Sequence, residues 1–215
     1  MRKLLLPLIM IVTIVFNAQA QEDNSTTDFN KWQVRLRGLA IVPNESADIE
    51  AIGGDTDISN AYIPELDFTY FFNKNLALEL ILGTSNHDVK AVSTAVGDIE
   101  LGDVWLLPPT LTLQYHFDAG MVHPYVGAGL NYTIFYGVDE GPVADDVEYD
   151  SALGFAIQGG FDIDITDKWF INIDAKYLWL NTTATVDATT ALGATVEADV
   201  DINPFIAGIG FGMRF

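Results

Sequence analysis

Most of the chain beyond about residue 30 carries a two-residue rhythm of apolar and polar side chains, and no other feature limits its fold so strongly. Leu76, Leu78, Leu80 and Leu82 alternate with Ala77, Glu79, Ile81 and Gly83. Phe161, Ile163 and Ile165 alternate with Asp162 and Asp164. Trp169, Ile171, Ile173, Ala175, Tyr177 and Trp179 alternate with Phe170, Asn172, Asp174, Lys176 and Leu178. Neighbouring side chains on a β-strand point to opposite faces, so this pattern describes strands with one apolar face. It predicts eight strands, at about 31–43, 60–72, 75–88, 104–117, 123–137, 150–165, 169–182 and 198–215.

The expected connections alternate in length. Tight turns fall at 73–75, 118–122 and 166–168, and long loops at 44–59, 89–103, 138–149 and 183–197. Strands longer than the usual five or six residues argue against a soluble sandwich. Aromatic residues also collect at strand ends. Trp32, Phe72, Phe117, Tyr125 and Trp169 mark one end, and Tyr62, Trp105, Phe135, Tyr136 and Trp179 the other. Two aromatic girdles around an aliphatic band suit rings that settle at lipid headgroups. The fold class is therefore all-β, an eight-stranded antiparallel up-and-down transmembrane β-barrel of a bacterial outer membrane, spanning 31–215. An even strand number puts both termini on the short-turn side, expected to be the periplasm.

The first residues fit export. Met1-Arg2-Lys3 precedes the apolar run Leu4 to Phe16 and then Ala18-Gln19-Ala20, the layout of a secretory signal. The apolar run is shorter than the ~20 residues that a membrane helix needs. We read 1–20 as a cleaved signal peptide and 21–30 as a short periplasmic segment. The last strand alternates to a terminal Phe215 and resembles the signal by which outer-membrane barrels meet their assembly machinery. That machinery, outer-membrane lipid and lipopolysaccharide are the expected partners.

Thirty acids against ten bases give a net charge of −20, which excludes nucleic acid as a partner. Cysteine is absent, so thiol chemistry is excluded, and no cofactor is expected. His87, His116 and His123 are isolated in sequence, with no HExxH or GxSxG pattern. Ser85, His87 and Asp88 come nearest to a nucleophile with its base, but a strand end explains them as well, and the chain reads as a non-enzyme.

Phase assigns the interior. Arg35, Arg37 and Lys176 point inward with Glu65, Asp67, Glu79, Asp162 and Asp174, and are expected to form a buried ion network. Ile81, Leu106, Leu178 and Leu180 are expected to line the outer half of the lumen. Pro64, Pro108 and Pro109 cannot donate to a ladder, so they mark either bulges or a lateral opening. The expected loops are acidic: Glu45, Asp48, Glu50, Asp55 and Asp57 in the first, Asp139, Glu140, Asp145, Asp146, Glu148 and Asp150 in the third. Solvation explains them, with weak divalent-cation binding as the alternative.

Three runs carry a family likeness: Pro64 to Phe72, Leu107-Pro108-Pro109-Thr110-Leu111, and Pro124 to Thr133. From about Trp32 to Phe215 the chain resembles the outer-membrane protein W (OmpW) family. The resemblance implies an eight-stranded barrel with a narrow, partly apolar passage, associated with small apolar molecules and stress responses. Lys176 departs from an apolar constriction. The expected function is a narrow passage for small apolar solutes with lateral release into the membrane. The alternative is a non-conducting structural or surface-interaction barrel with acidic extracellular loops.

Overall fold

The computed structural model describes residues 30–50, 52–191 and 193–215. The expected signal peptide at 1–20 and nearly all of the 21–30 segment lie outside the described residues. Eight staves run antiparallel, seven of them in two pieces. The first is β1 (Trp32–Val42) continued by β2 (Ser46–Ile49), and the second is β3 (Asp55–Ile58) followed by β4 (Ala61–Phe71). The third is β5 (Leu76–Leu82) and β6 (Ser85–Val92), and the fourth is β7 (Ile99–Leu107) and β8 (Thr110–His116). β9 (Val122–Glu140) is unbroken, and β10 (Asp146–Tyr149) leads into β11 (Ala152–Asp164). β12 (Trp169–Trp179) with β13 (Asn181–Ala188), and β14 (Ala194–Asp201) with β15 (Phe205–Arg214), complete the set.

At the short-turn end the pairing is a closed ring: β1, β4, β5, β8, β9, β11, β12, β15 and back to β1. Closure runs from Gln33↔Arg214 to Val42↔Phe205. The ends of the barrel meet there, with Trp32 N donating to Phe215 O at 3.0 Å and Phe215 N to Trp32 O at 2.9 Å. A closed ring leaves no strand edge unpaired, which lipid requires.

Polarity is inverted relative to a water-soluble domain. Gln33 and Arg35 are 0 % exposed, while Leu36 is 60 % and Ile209 61 % exposed. Only an apolar solvent makes that arrangement favourable. Aromatic rings edge this outer face. Trp32 packs on Tyr70 at 4.8 Å and Tyr115 on Phe117 at 5.0 Å at one rim; Tyr177 packs on Trp179 at 4.9 Å and Trp105 on Tyr136 at 6.3 Å at the other. Tyr125 and Phe135, expected in the girdles from their place along the strand, face inward instead. Both share the phase of the buried Asn131 and Thr133, and phase outranks position along a strand.

The stretches expected as long loops are mostly strand. The staves continue beyond the girdle to short ends at 93–98, 141–145 and 189–193. Here the wall divides into two arcs, β2–β14–β13–β10 and β3–β6–β7–β9. Ile49, Ala91, Ile99, Leu180, Val196 and Val200, drawn from both arcs, form one apolar cluster. The acids of these stretches face outward, as Asp48, Asp55 and Asp57 do, so the extension is acidic outside and apolar inside. The inward rhythm there is carried by small side chains such as Ala184, Ala188 and Ala198, which signal a strand weakly.

Glycines make room for large rings in the narrow lumen. A Cβ added at Gly160 would lie 2.5 Å from the Tyr125 hydroxyl, and one at Gly212 would fall within the Phe170 ring edge at 2.0 Å. Both Tyr125 and Phe170 are fully buried.

Candidate functional site

The lumen has two parts of opposite chemistry. The short-turn half is filled by ions and their hydrogen-bond partners. β1 places Arg35 and Arg37 two residues apart on its inner face, opposite Asp67 and Glu65 of β4 in register. Arg35 Nε meets Asp67 Oδ1 at 2.7 Å, its Nη2 meets Thr69 Oγ1 at 3.1 Å and also Glu79, and its Nη1 lies 3.8 Å from Asp162. Arg37 reaches Glu65 at 2.5 Å, Asp67 at 3.0 Å, Glu79 at 3.3 Å and Asp174 at 3.5 Å. Lys176 Nζ lies 2.5 Å from Asp174 and 3.7 Å from Glu65. The structure thus brings all eight residues of the expected ion network together.

Neutral donors complete the layer. Thr112 Oγ1 and Gln158 Nε2 each donate to Glu79 at 2.7 Å, and the Tyr125 hydroxyl donates to Asp174 at 2.7 Å. Asn172 Nδ2 donates to Asp162 at 2.8 Å. Buried charges persist only when paired and hydrogen-bonded, and this density of partners meets that condition. An eight-stranded barrel is just wide enough for such side chains to fill it. Below them His116 stacks on Tyr125 at 4.9 Å and meets the tilted ring of Phe71 at 4.8 Å, adding a further layer across the lumen.

Above the ion layer the lumen opens into a cavity walled almost wholly by apolar side chains. Leu106, Leu178 and Leu180 line it, as does Pro108. Ile81 is buried lower, at the level of its partners Asp67 and Thr110. Much of the wall comes from stretches where the sequence pattern predicts loops, including Ile49, Ile99, Ala184 and Val196. The signal that would find them is the rhythm Val196, Ala198, Val200, Ile202. Phe135 stacks on Tyr149 at 5.4 Å on one side, and burial pushes the Tyr149 hydroxyl up to about 12.

The wall beside this cavity is interrupted twice. Between the second and third staves the ladder stops at Leu66↔Leu82 and resumes at Ile58↔Val89. Ser59 clips the top of that seam: its N–H donates to Asp88 O at 3.0 Å, and its Oγ accepts from Asp88 N at 2.9 Å. Pro64 lies on the exposed face of the seam. Between the third and fourth staves pairing stops at Ile81↔Thr110 and resumes at Ser85↔Leu106, leaving Pro108 and Pro109 opposite the β5–β6 junction. Thr84 Oγ1 donates to Leu106 O at 2.9 Å and lies 2.6 Å from the Tyr136 hydroxyl, so the second break is covered from outside.

Ser85 and His87 are hydrogen-bonded, with His87 Nε2 at 3.0 Å from Ser85 Oγ. Asp88 faces the opposite side of β6 and is exposed, so it does not orient the imidazole; the Ser59 carbonyl, 2.7 Å from Nδ1, does. A Ser–His–Asp arrangement is therefore not assembled.

An apolar exterior with rims of aromatic rings around an ion-paired, closed interior defines the class: a transmembrane β-barrel of the outer-membrane type. The chain belongs to the OmpW family, whose sequence profile matches residues 30–215. It is 43% identical over 186 residues to an uncharacterised outer-membrane protein, y4mB, of Sinorhizobium fredii (strain NBRC 101917 / NGR234), covering 86% of this chain and 80% of that one. It is 34% identical over 192 residues to the dibenzothiophene metabolism operon protein PahQ of Pseudomonas aeruginosa, covering 86% and 88%. The crystal structure of the outer membrane protein OprG from Pseudomonas aeruginosa matches with a TM-score of 0.80 at 28% identity, covering 87% of this chain and 96% of that one. The chain is accordingly a bacterial outer-membrane protein.

Proposed function

We propose that this barrel admits small apolar molecules at its acidic end, holds them in the apolar half of the lumen, and releases them sideways into the membrane. One observation carries the reading: an apolar cavity stands directly on a layer of buried, mutually paired ions, beside a wall whose ladder is broken. Apolar burial supplies the capture, at about 25 cal/mol per Å² removed from water. The ion layer blocks a straight path, so the seam beside Pro64 is the exit, with the break at Pro108 and Pro109 as a second, covered one. The relative PahQ, a dibenzothiophene metabolism operon protein, is named for a polycyclic aromatic, which fits this solute class.

In this reading the short-turn end faces the periplasm, the strand ending at Phe215 meets the assembly machinery, and lipopolysaccharide surrounds the acidic end. The protein carries solute and performs no reaction. The test is uptake of a labelled apolar molecule by liposomes containing the protein. Uptake above empty liposomes is expected, and its loss in Leu180→Asp. The rival reading, a non-conducting barrel, draws on the filled lower lumen; uptake equal to that of empty liposomes would establish it instead.

A further inference from the structure

We propose that the cavity carries a head-group subsite on its wall, where Ser85 Oγ accepts a hydrogen bond from the hydroxyl of an otherwise apolar molecule. This rests on the reading that the cavity holds apolar solutes, and it names which of them are preferred. Ser85 and His87 lie two residues apart on the inner face of β6, are 3% and 4% exposed, and both line the cavity.

Their hydrogen bonds fix the direction of the site. The Ser59 carbonyl can only accept, so the proton of the imidazole sits on Nδ1, 2.7 Å away. Among the apolar side chains of this wall an imidazolium is disfavoured, so the ring is neutral and Nε2 offers a lone pair. Nε2 is 3.0 Å from Ser85 Oγ and takes the one hydroxyl proton that Ser85 has. Ser85 therefore turns only lone pairs toward the cavity. It receives an O–H or N–H and has nothing to give to a ketone or an ether.

The threonine hydroxyls of the wall follow the same rule. Thr56 donates to Lys90 O at 3.2 Å, Thr133 to Asn131 Oδ1 at 2.7 Å, and Thr182 to Asp150 O at 2.6 Å. The serine and threonine protons of this cavity are thus all spent on the wall. Ser85 is distinguished by its place. It sits in the stretch of the third stave that has no ladder to β4, where Ile63 and Glu65 side chains reach toward Gly83. A molecule seated by its hydroxyl on Ser85 has its apolar body in the cavity and its head at the seam. The ligand class is an apolar alcohol or phenol.

The experiment compares 2-naphthol, 2-methoxynaphthalene and naphthalene with the full-length protein in lipid nanodiscs, each corrected by empty nanodiscs. A neutral hydrogen bond in an apolar site predicts 2-naphthol binding about 3- to 10-fold tighter than the other two. Ser85→Ala should lower 2-naphthol to the level of naphthalene and leave naphthalene unchanged, which also reports that the variant is folded. His87→Leu removes the acceptor of the Ser85 proton, frees it to donate, and should raise 2-methoxynaphthalene. Equal binding of the three probes, unchanged by Ser85→Ala, overturns the subsite while the cavity reading stands. Binding of no probe above empty nanodiscs overturns the cavity reading and the subsite with it.

Discussion

Arg35→Met removes the hub of the ion layer while keeping a flexible side chain of similar length. Arg35 is 0% exposed and serves Asp67 at 2.7 Å, Glu79, and Asp162 at 3.8 Å. None of the three is left bare. Asp67 and Glu79 retain Arg37 at 3.0 and 3.3 Å, and Asp162 retains Gln33 at 3.1 Å. All three nonetheless stay buried with less positive charge between them, and breaking one partner of a buried pair costs about 3–5 kcal/mol. With a urea dependence of about 2 kcal/mol per M, the unfolding midpoint should fall by about 2 M. The assay is urea unfolding in lipid vesicles, followed by tryptophan emission and by the gel mobility of the unboiled barrel. Arg35→Met with Asp67→Asn should recover part of the loss, because both partners are then gone. A loss below about 1 kcal/mol, the range of exposed pairs, would refute the claim that this layer is dry and mutually dependent.

Three further outcomes follow from the geometry. Gly210→Val should prevent closure, since a Cβ there would sit 2.1 Å from the Leu36 carbonyl oxygen; the readout is absence of a heat-modifiable band. Circular dichroism of the folded protein should show predominantly strand, and substantial helix would contradict the barrel. Extending the register from Leu66↔Leu82 sets Pro64 opposite Thr84, so Pro64→Cys with Thr84→Cys offers a staple across the seam in a chain with no other cysteine. Oxidation should slow release of an apolar solute into the bilayer and reduction should restore it; indifference to oxidation, with the disulfide formed, would move the exit elsewhere.

The barrel was legible in the sequence because one face of each stave meets lipid, which makes long apolar-polar rhythms such as Trp169 to Trp179. The ion layer was legible for the same reason, since phase alone puts Arg35, Arg37 and Glu79 inside. The upper wall was not. There the outside meets water, so Asp48 or Glu197 facing out looks like loop chemistry, and alanines carry much of the inner face. Tyr125 was misplaced because an aromatic near a strand end fits a girdle as well as a lumen; its phase with Asn131 and Thr133 and its hydrogen bond to Asp174 put it inside. The Ser85–His87 pair was visible as residues two apart, but its orientation depends on Ser59, which lies 28 residues from His87 in sequence and meets it across the seam.

Capture in the lumen can be seen in a crystal structure of the barrel soaked with 1-bromonaphthalene, with the bromine located by anomalous scattering. Bromine is expected inside the cavity, between Leu106 and Leu180 and above Lys176. Bromine found only against the outer apolar face, with the cavity free of it, would contradict a lumen that captures apolar solutes.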